Sequence, residues 1–444
     1  MIESKLKARF SEFSIPDTMQ DESSVIVPGV RGVPFLRYGL HAYNFYNFAT
    51  LKGFSITIPH HRILLPGYAR FIKANNSVPK PFAWLRGMFQ RYHYGFNFLE
   101  QTALMTVPHT ITQLGNGRFL LNLWSYFGYL DIDCKQRSVK YMLREEEDDD
   151  HVFGSQHFYK SDTSELYYTT FSLRDSMQRV SDVSHPVSCT VAKRGLDSDK
   201  SEELWSGKLT DYLHDIMINK TNRYCVVCEL GLHTDENKDI IPSKVLILDL
   251  QSGAQWELSR FIVAAHAQFD PDDPDVIYFS NHNFRFLPGS AYKILVQASY
   301  NMEFCGPASI FKYRLTPEGP KELGVFTQED FFRLTNMFIF KHRGRKVMAA
   351  TGSPNFVFLM DADDMTFIKK IEFQNPVGLK SFYRSIPCVV GTIAPSVDGE
   401  RIFVQTNRSL QVVDIATGEA ELIRDHLYYH SCSNHMMASR DTSW

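Results

Sequence analysis

The 444-residue chain has no surplus of positive charge. Its 47 Lys and Arg residues stand against 50 Asp and Glu, a formal net charge of −3. Proteins that bind nucleic acid draw much of their affinity from cations that neutralise phosphates, so nucleic acid is not expected as a main partner. No stretch of 18 or more uninterrupted apolar residues occurs, so no spanning helix is expected. Residues Met1 to Phe10 interleave charged and apolar side chains and have no apolar h-region, which argues against a secretory signal. The seven cysteines (Cys134, Cys189, Cys225, Cys228, Cys305, Cys388 and Cys432) are odd in number and form no framework spacing. They read as reduced thiols in a cytoplasmic protein. Absent too are a Gly-x-Ser-x-Gly elbow, a phosphate loop and a dinucleotide fingerprint.

What is present is apolar bulk. Apolar residues make up 44% of the chain and aromatic ones 14%, with 34 Phe. That bulk implies a large interior and suits an apolar ligand. Residues 1–100 are rich in rings and in Pro and Gly punctuation, as in His41-Ala-Tyr-Asn-Phe-Tyr-Asn-Phe48, with few clean strand pairs. They read as an aromatic-rich covering segment over one mouth of the main domain, residues 101–444. Within them, residues 81–92 mix apolar and basic residues at roughly helical spacing. An alternative is that this stretch makes a peripheral membrane contact through Trp84, Leu85, Met88 and Phe89.

From residue 104 onward, short β-rich runs alternate with turn signals, and units recur about every 40–60 residues. The first holds Thr110–Leu114, a turn at Gly115-Asn-Gly117, Arg118–Trp124, Tyr129–Asp133 and Ser138–Leu143. Later units begin near Gln156, Leu213, Ala265, Met337 and Gly391, and one run, Ser433–Ala438, is left over at the end. Four antiparallel strands in series form a propeller blade. The leftover strand should complete a seventh blade with N-terminal strands, because it is not stable alone. The fold expected is therefore all-β, a seven-bladed β-propeller. The acidic run Glu145–Asp150 then reads as a solvated loop between blades.

The first strand of each blade lines the axis. His157, His214, His266 and His435 fall at nearly one register on such strands, so their imidazoles should converge. Four neutral imidazoles make a transition-metal site. The remaining units offer Asn336 and Pro387 or Cys388 near that place, while His109 fits loosely and His282 and His430 lie close enough to compete. The plainer alternative is that some of 16 histidines fall on inner strands by chance and serve only as hydrogen-bonded core residues.

Several of these segments resemble the carotenoid oxygenase family. Gln156-His157-Phe-Tyr-Lys-Ser-Asp162-Thr-Ser-Glu165-Leu166-Tyr167 is similar to its Ala-His-Pro-x-x-Asp-x-x-Thr-Gly-Glu-Leu-Tyr motif. Leu213-His214-Asp215-Ile-Met-Ile-Asn-Lys-Thr221-Asn-Arg-Tyr224 is similar to its His-Asp-Phe-x-x-Thr-x-x-Tyr motif, and His435 lies near the C-terminus, as its fourth ligand does. The resemblance covers about residues 100–280 and the last 60. It implies a seven-bladed propeller with Fe(II) on four axial histidines and O2 as co-substrate. The chain departs from the family at Ser125, where a Leu-Trp-Glu glutamate would hydrogen-bond a ligand, and residues 330–395 offer no evident replacement for two further glutamates. Ala265-His266-Ala-Gln-Phe269 lacks the family's Asn-Ala-Tyr-Glu ending.

The function expected is a non-haem iron(II) dioxygenase acting on a small apolar alkene, polyene or stilbene, with Phe153, Phe158 and Phe284 lining its path. A metal-dependent propeller lyase of the oligogalacturonate type, with Mn(II), is one alternative, and a non-catalytic interaction scaffold is another. Cys225-Val-Val-Cys228 has redox spacing, but residues three apart on a strand face opposite sides. Lys341-His-Arg-Gly-Arg-Lys346 reads as a hairpin turn.

Overall fold

The computed structural model describes residues 2–59, 108–229, 241–286, 302–374, 388–425 and 436–440, apart from short stretches within these, including 34–35, 124–127, 144–150 and 179–184. The described residues form seven antiparallel sheets arranged as a β-propeller, with a small extra hairpin, Phe284–Phe286 with Met302–Phe304. Blade 1 runs from its inner strand Pro108–Gly115 through Arg118–Leu123 and Gly128–Asp133 to Ser138–Leu143. Blades 2 to 6 start from inner strands His151–Lys160, Leu213–Ile218, Ala264–Phe269, Met337–His342 and Val390–Pro395. Each inner strand from blade 1 to blade 6 packs beside the next.

Blade 7 joins the two ends of the chain. Its inner strand is Met437–Ser439, paired with Ser24–Ile26, and Leu36–Asn47, Lys52–Pro59 and Arg9–Ser14 complete it outward. Ile2–Leu6 adds a fifth strand to the outside of blade 1. Residues 2–59 therefore lie largely in strands of blades 7 and 1, which corrects the reading of few strand pairs there. The reason is physical. Val25, Ile26, Val27, Ala42, Tyr43, Phe45 and Tyr46 are all buried, so both faces of these strands are apolar and the alternation that marks a half-exposed strand is missing. Residues 81–92 and the acidic run 145–150 lie outside the described residues.

A repeated turn ends the third strand of four blades. Asp133, Asp249, Asp361 and Asp414 each accept hydrogen bonds from backbone amides two or three residues on. The residue four positions after each aspartate has positive φ: Arg137 (50°), Gly253 (75°), Met365 (55°) and Gly418 (80°). This is the aspartate's usual role in turns, replacing a strand's ladder with a local side-chain acceptor. In blades 3 and 5 the same aspartate also binds an arginine that opens the second strand, Arg223 or Arg345.

Two local readings hold. Cys225 packs with the core between blades 2 and 3, and Cys228 with the core between blades 3 and 4, so the two thiols do face opposite sides. Burial pushes both up in pKa. The basic cluster is a two-residue hairpin, His342 pairing Arg345 around Arg343 and Gly344, both at positive φ. Its Lys346 reaches Asp270 and Asp363 and ties blade 5 to blade 4. Among the described residues, no helix is long and apolar enough to cross a membrane.

Candidate functional site: histidines on bulged inner strands

Five inner strands break register near one end. The breaks fall between Pro108 and Ile111, Phe153 and His157, Leu213 and Asp215, Ala265 and Gln268, and Val390 and Thr392. A bulge adds a residue to one strand, bends it and re-aims side chains. Its recurrence at one level of the ring marks where the blades depart from regular pairing, and His157, His214 and His266 sit at or beside these breaks.

The structure brings His214 and His266 together. Their ring centroids are 6.2 Å apart and nearly perpendicular at 89°. Asp215, fully buried, binds both residues. One carboxylate oxygen lies 2.7 Å from His214 Nδ1, and the other accepts the backbone N–H of His266. On a regular strand, neighbours 214 and 215 would point to opposite faces; the bulge lets them meet. His266 has φ of 56°, a left-handed conformation that costs of order 1 kcal/mol or more for a residue with a Cβ. Asp215 helps to hold it there. His282 stacks on His266 at 5.1 Å, and Phe284 meets His282 edge-on at 5.6 Å.

His157 stands apart from this pair. It is 4% exposed, and its ring lies edge-on to Tyr129 of blade 1 at 5.6 Å and to Phe153 at 6.0 Å. Neither of its ring nitrogens has a hydrogen-bond partner. Burial, and then the charge of Arg194, lowers its pKa to about 3, so the ring is neutral. Phe153 also meets Tyr168 at 5.2 Å and belongs to the cluster around His157. Phe158, one residue on, packs instead with the core on the other face of the strand. His435 and Ser125 lie outside the described residues, as do His430 and Pro387. Asn336 is buried at the start of blade 5, its backbone bonded to the Thr351 hydroxyl at 2.9 Å.

The donors suit a transition metal in part. An imidazole nitrogen ligates at about 2.1 Å, which puts each ring centroid about 3.2 Å from the ion, so two rings on one ion lie up to about 6.4 Å apart. The His214–His266 pair falls within that reach. A ligating histidine typically gives its other N–H to a carboxylate; His214 does so with Asp215, leaving Nε2 as its donor. The two buried, unengaged nitrogens of His157 also suit a donor. Among the described residues, no group of three His, Cys, Asp or Glu side chains closes to metal-holding distance, so the shown set is a pair with a third imidazole apart from it.

Sequence reading missed two residues here. Asp215 was visible beside His214, but strand alternation argues against their contact, and the bulge leaves no mark in composition. Arg194 lies on Val187–Gly195, a strand whose lysine and arginine hide its β character.

No family model matches the chain, and no curated protein matches it. Among solved structures it is similar to two variants of Synechocystis apocarotenoid oxygenase, each 12% identical, with TM-scores of 0.56 and 0.55 and coverage of 99% of this chain and 96% of that one. It is also similar to oligogalacturonate lyase from Vibrio parahaemolyticus at 9% identity and a TM-score of 0.46, covering 90% of this chain and 94% of that one. At such identities the likeness shows the fold alone: this chain is a seven-bladed β-propeller.

Proposed function

We propose that the chain is a metal-dependent propeller enzyme that oxidatively cleaves or rearranges a carbon–carbon double bond in a small apolar substrate. The observation that supports it most is the His214–Asp215–His266 arrangement, in which one buried carboxylate orients one imidazole and holds the backbone of the next. His214 and His266 would hold the metal, with His435 and one ring nitrogen of His157 completing the set, the other His157 nitrogen keeping its N–H. Ferrous iron, when bound, would supply activation of dioxygen. Neutral imidazoles bring no negative charge to such a site, and burial keeps His157 from competing for a proton. Phe153 and Phe284 supply apolar wall beside the histidines, which favours an alkene over a charged sugar. The likeness to an apocarotenoid oxygenase fits the same reading.

Untagged protein, reconstituted anaerobically with ferrous iron and then given oxygen with a panel of polyenes and stilbenes, tests it. The expected result is iron-dependent loss of conjugated absorbance in at least one substrate, abolished by His214→Ala. Iron-loaded protein that leaves every conjugated substrate intact contradicts it.

A further inference from the structure

Between blades 1 and 2, an arginine is buried with no acid on it among the described residues. Arg194, on the third strand of blade 2, is 7% exposed. Its guanidinium carbon lies 5.4 Å from the Tyr129 ring centroid, and one terminal nitrogen donates to the Tyr129 hydroxyl. Its Nε has no partner, and among the described residues no carboxylate pairs with it. His157 lies against the same Tyr129 ring, with both nitrogens also unengaged. The surrounding side chains, Leu120, Phe153, Leu166 and Tyr168, are apolar or aromatic. A buried cation in such surroundings costs several kcal/mol unless an anion meets it, and each unmet buried polar atom adds to that cost. Of the three unmet nitrogens on these two side chains, packed against one ring, the Arg194 Nε–H and the single N–H of the neutral His157 ring lack an acceptor.

We propose that Arg194 and His157 form a carboxylate-binding subsite between blades 1 and 2. A carboxylate is planar and accepts from guanidinium N–H groups in matched directions, and it also accepts an imidazole N–H. Its charge offsets that of Arg194 beside His157. The carboxylate comes either from a free small acid or from the end of an apolar chain lying along Phe153 and Tyr168. The second source deepens the proposed function by making the substrate an acid-ended alkene. The subsite itself does not depend on the metal, so its test uses protein with no metal added.

The full chain is titrated with acetate, with cis-parinaric acid, whose fluorescence rises on binding, and with the methyl ester of that acid. Arg194→Gln is measured beside it. A saturable acetate response lost in Arg194→Gln supports the subsite with a free acid as its source. Parinaric acid binding at least about tenfold tighter than its ester, with acetate competing and Arg194→Gln removing the preference but not ester binding, supports the chain-borne source. Equal binding of acid and ester with no acetate response overturns the proposal, leaving water as the acceptor. So does a preference for acid that survives Arg194→Gln. If Arg194→Gln fails to fold, the acid, ester and acetate comparison on the unaltered chain decides by itself. Inactivity of the iron-loaded protein towards alkenes bears on the metal reading and leaves these outcomes unchanged.

Discussion

Two junctions of the ring carry a buried histidine on a bulged inner strand, and they resolve it in opposite ways. Between blades 3 and 4, Asp215 binds the ring of one histidine and the backbone of the next. Between blades 1 and 2, His157 lies among aromatic rings with both nitrogens unengaged, and a buried arginine stands near it. The same blade architecture thus gives one junction whose histidines share a buried acid and one whose histidine meets no acid among the described residues. At the first, a substitution reads what the shared acid contributes to stability; at the second, it reads the proposed subsite.

The largest expected effect follows from removing the shared acid. Asp215→Ala strips the acceptor from two buried donors and should cost about 3–5 kcal/mol in urea unfolding, with Asp215→Asn costing clearly less. Equal loss in both variants would mean that the volume and the one acceptor oxygen kept by the amide contribute nothing. Next comes a matched pair of aromatic replacements. His214→Phe leaves Asp215 buried without its imidazole and should cost about 2–3 kcal/mol, whereas His157→Phe exchanges two unmet nitrogens for ring carbon and should change stability by less than about 1 kcal/mol in either direction. Equal losses would erase the distinction between the junctions.

The junctions should also differ in acid. The folded pKa of His157 is lowered to about 3, first by burial and then by Arg194. Below the unfolded value of about 6.5, the unfolded chain takes up a proton that the fold refuses, so stability falls as pH drops from there towards 3. His157→Phe should flatten that slope. Asp249, at the rim of blade 3, behaves differently. Burial raises its pKa, but Arg223 and the amides of Gln251 and Ser252 outweigh that and hold it at about 2. The stability it contributes is present above about pH 4 and lost as pH falls through about 2. Asp249→Asn should therefore lower stability above about pH 4 and converge with the unaltered chain near pH 2, flattening the acid limb measured by intrinsic fluorescence. A further small effect belongs to the same rim turn. A Cβ at Gly253 meets nothing within 4 Å, so Gly253→Ala tests the positive φ of 75° alone and should cost about 1 kcal/mol in urea.

The ring itself was legible in the sequence because its inner strands come as short apolar runs closed by turn residues, such as Gly115-Asn-Gly117 and Asp270-Pro-Asp-Asp-Pro274. Blade 7 was legible only as a requirement of closure. Val25, Ile26, Val27, Ala42, Tyr43, Phe45 and Tyr46 make its strands apolar on both faces where they are described, and Met437–Ser439 is the part of the terminal run that falls among the described residues. The outer strand of blade 1, Ser138–Leu143, was legible, but those of blades 2 and 4 went unread because Ser201–Leu209 and Gly319–Thr327 face solvent with charged residues, although the aspartate turns before several outer strands recur with the same geometry. For the site, register placed His214 and His266 on adjacent inner strands, and they do meet. Register could not show the direction of a side chain at a bulge. For that reason Asp215, Arg194 and the surroundings of His157 emerge only from the fold.

Metal content tests the central claim most directly. Protein purified without a histidine tag is measured by elemental mass spectrometry beside the His214→Ala/His266→Ala double variant. Near-stoichiometric iron in the first and none in the second is the predicted result. Stoichiometric manganese would turn the reading towards a lyase. No metal in either protein, even after anaerobic reconstitution with ferrous iron, would contradict the account and leave Asp215 and its two histidines as a purely structural clasp between blades.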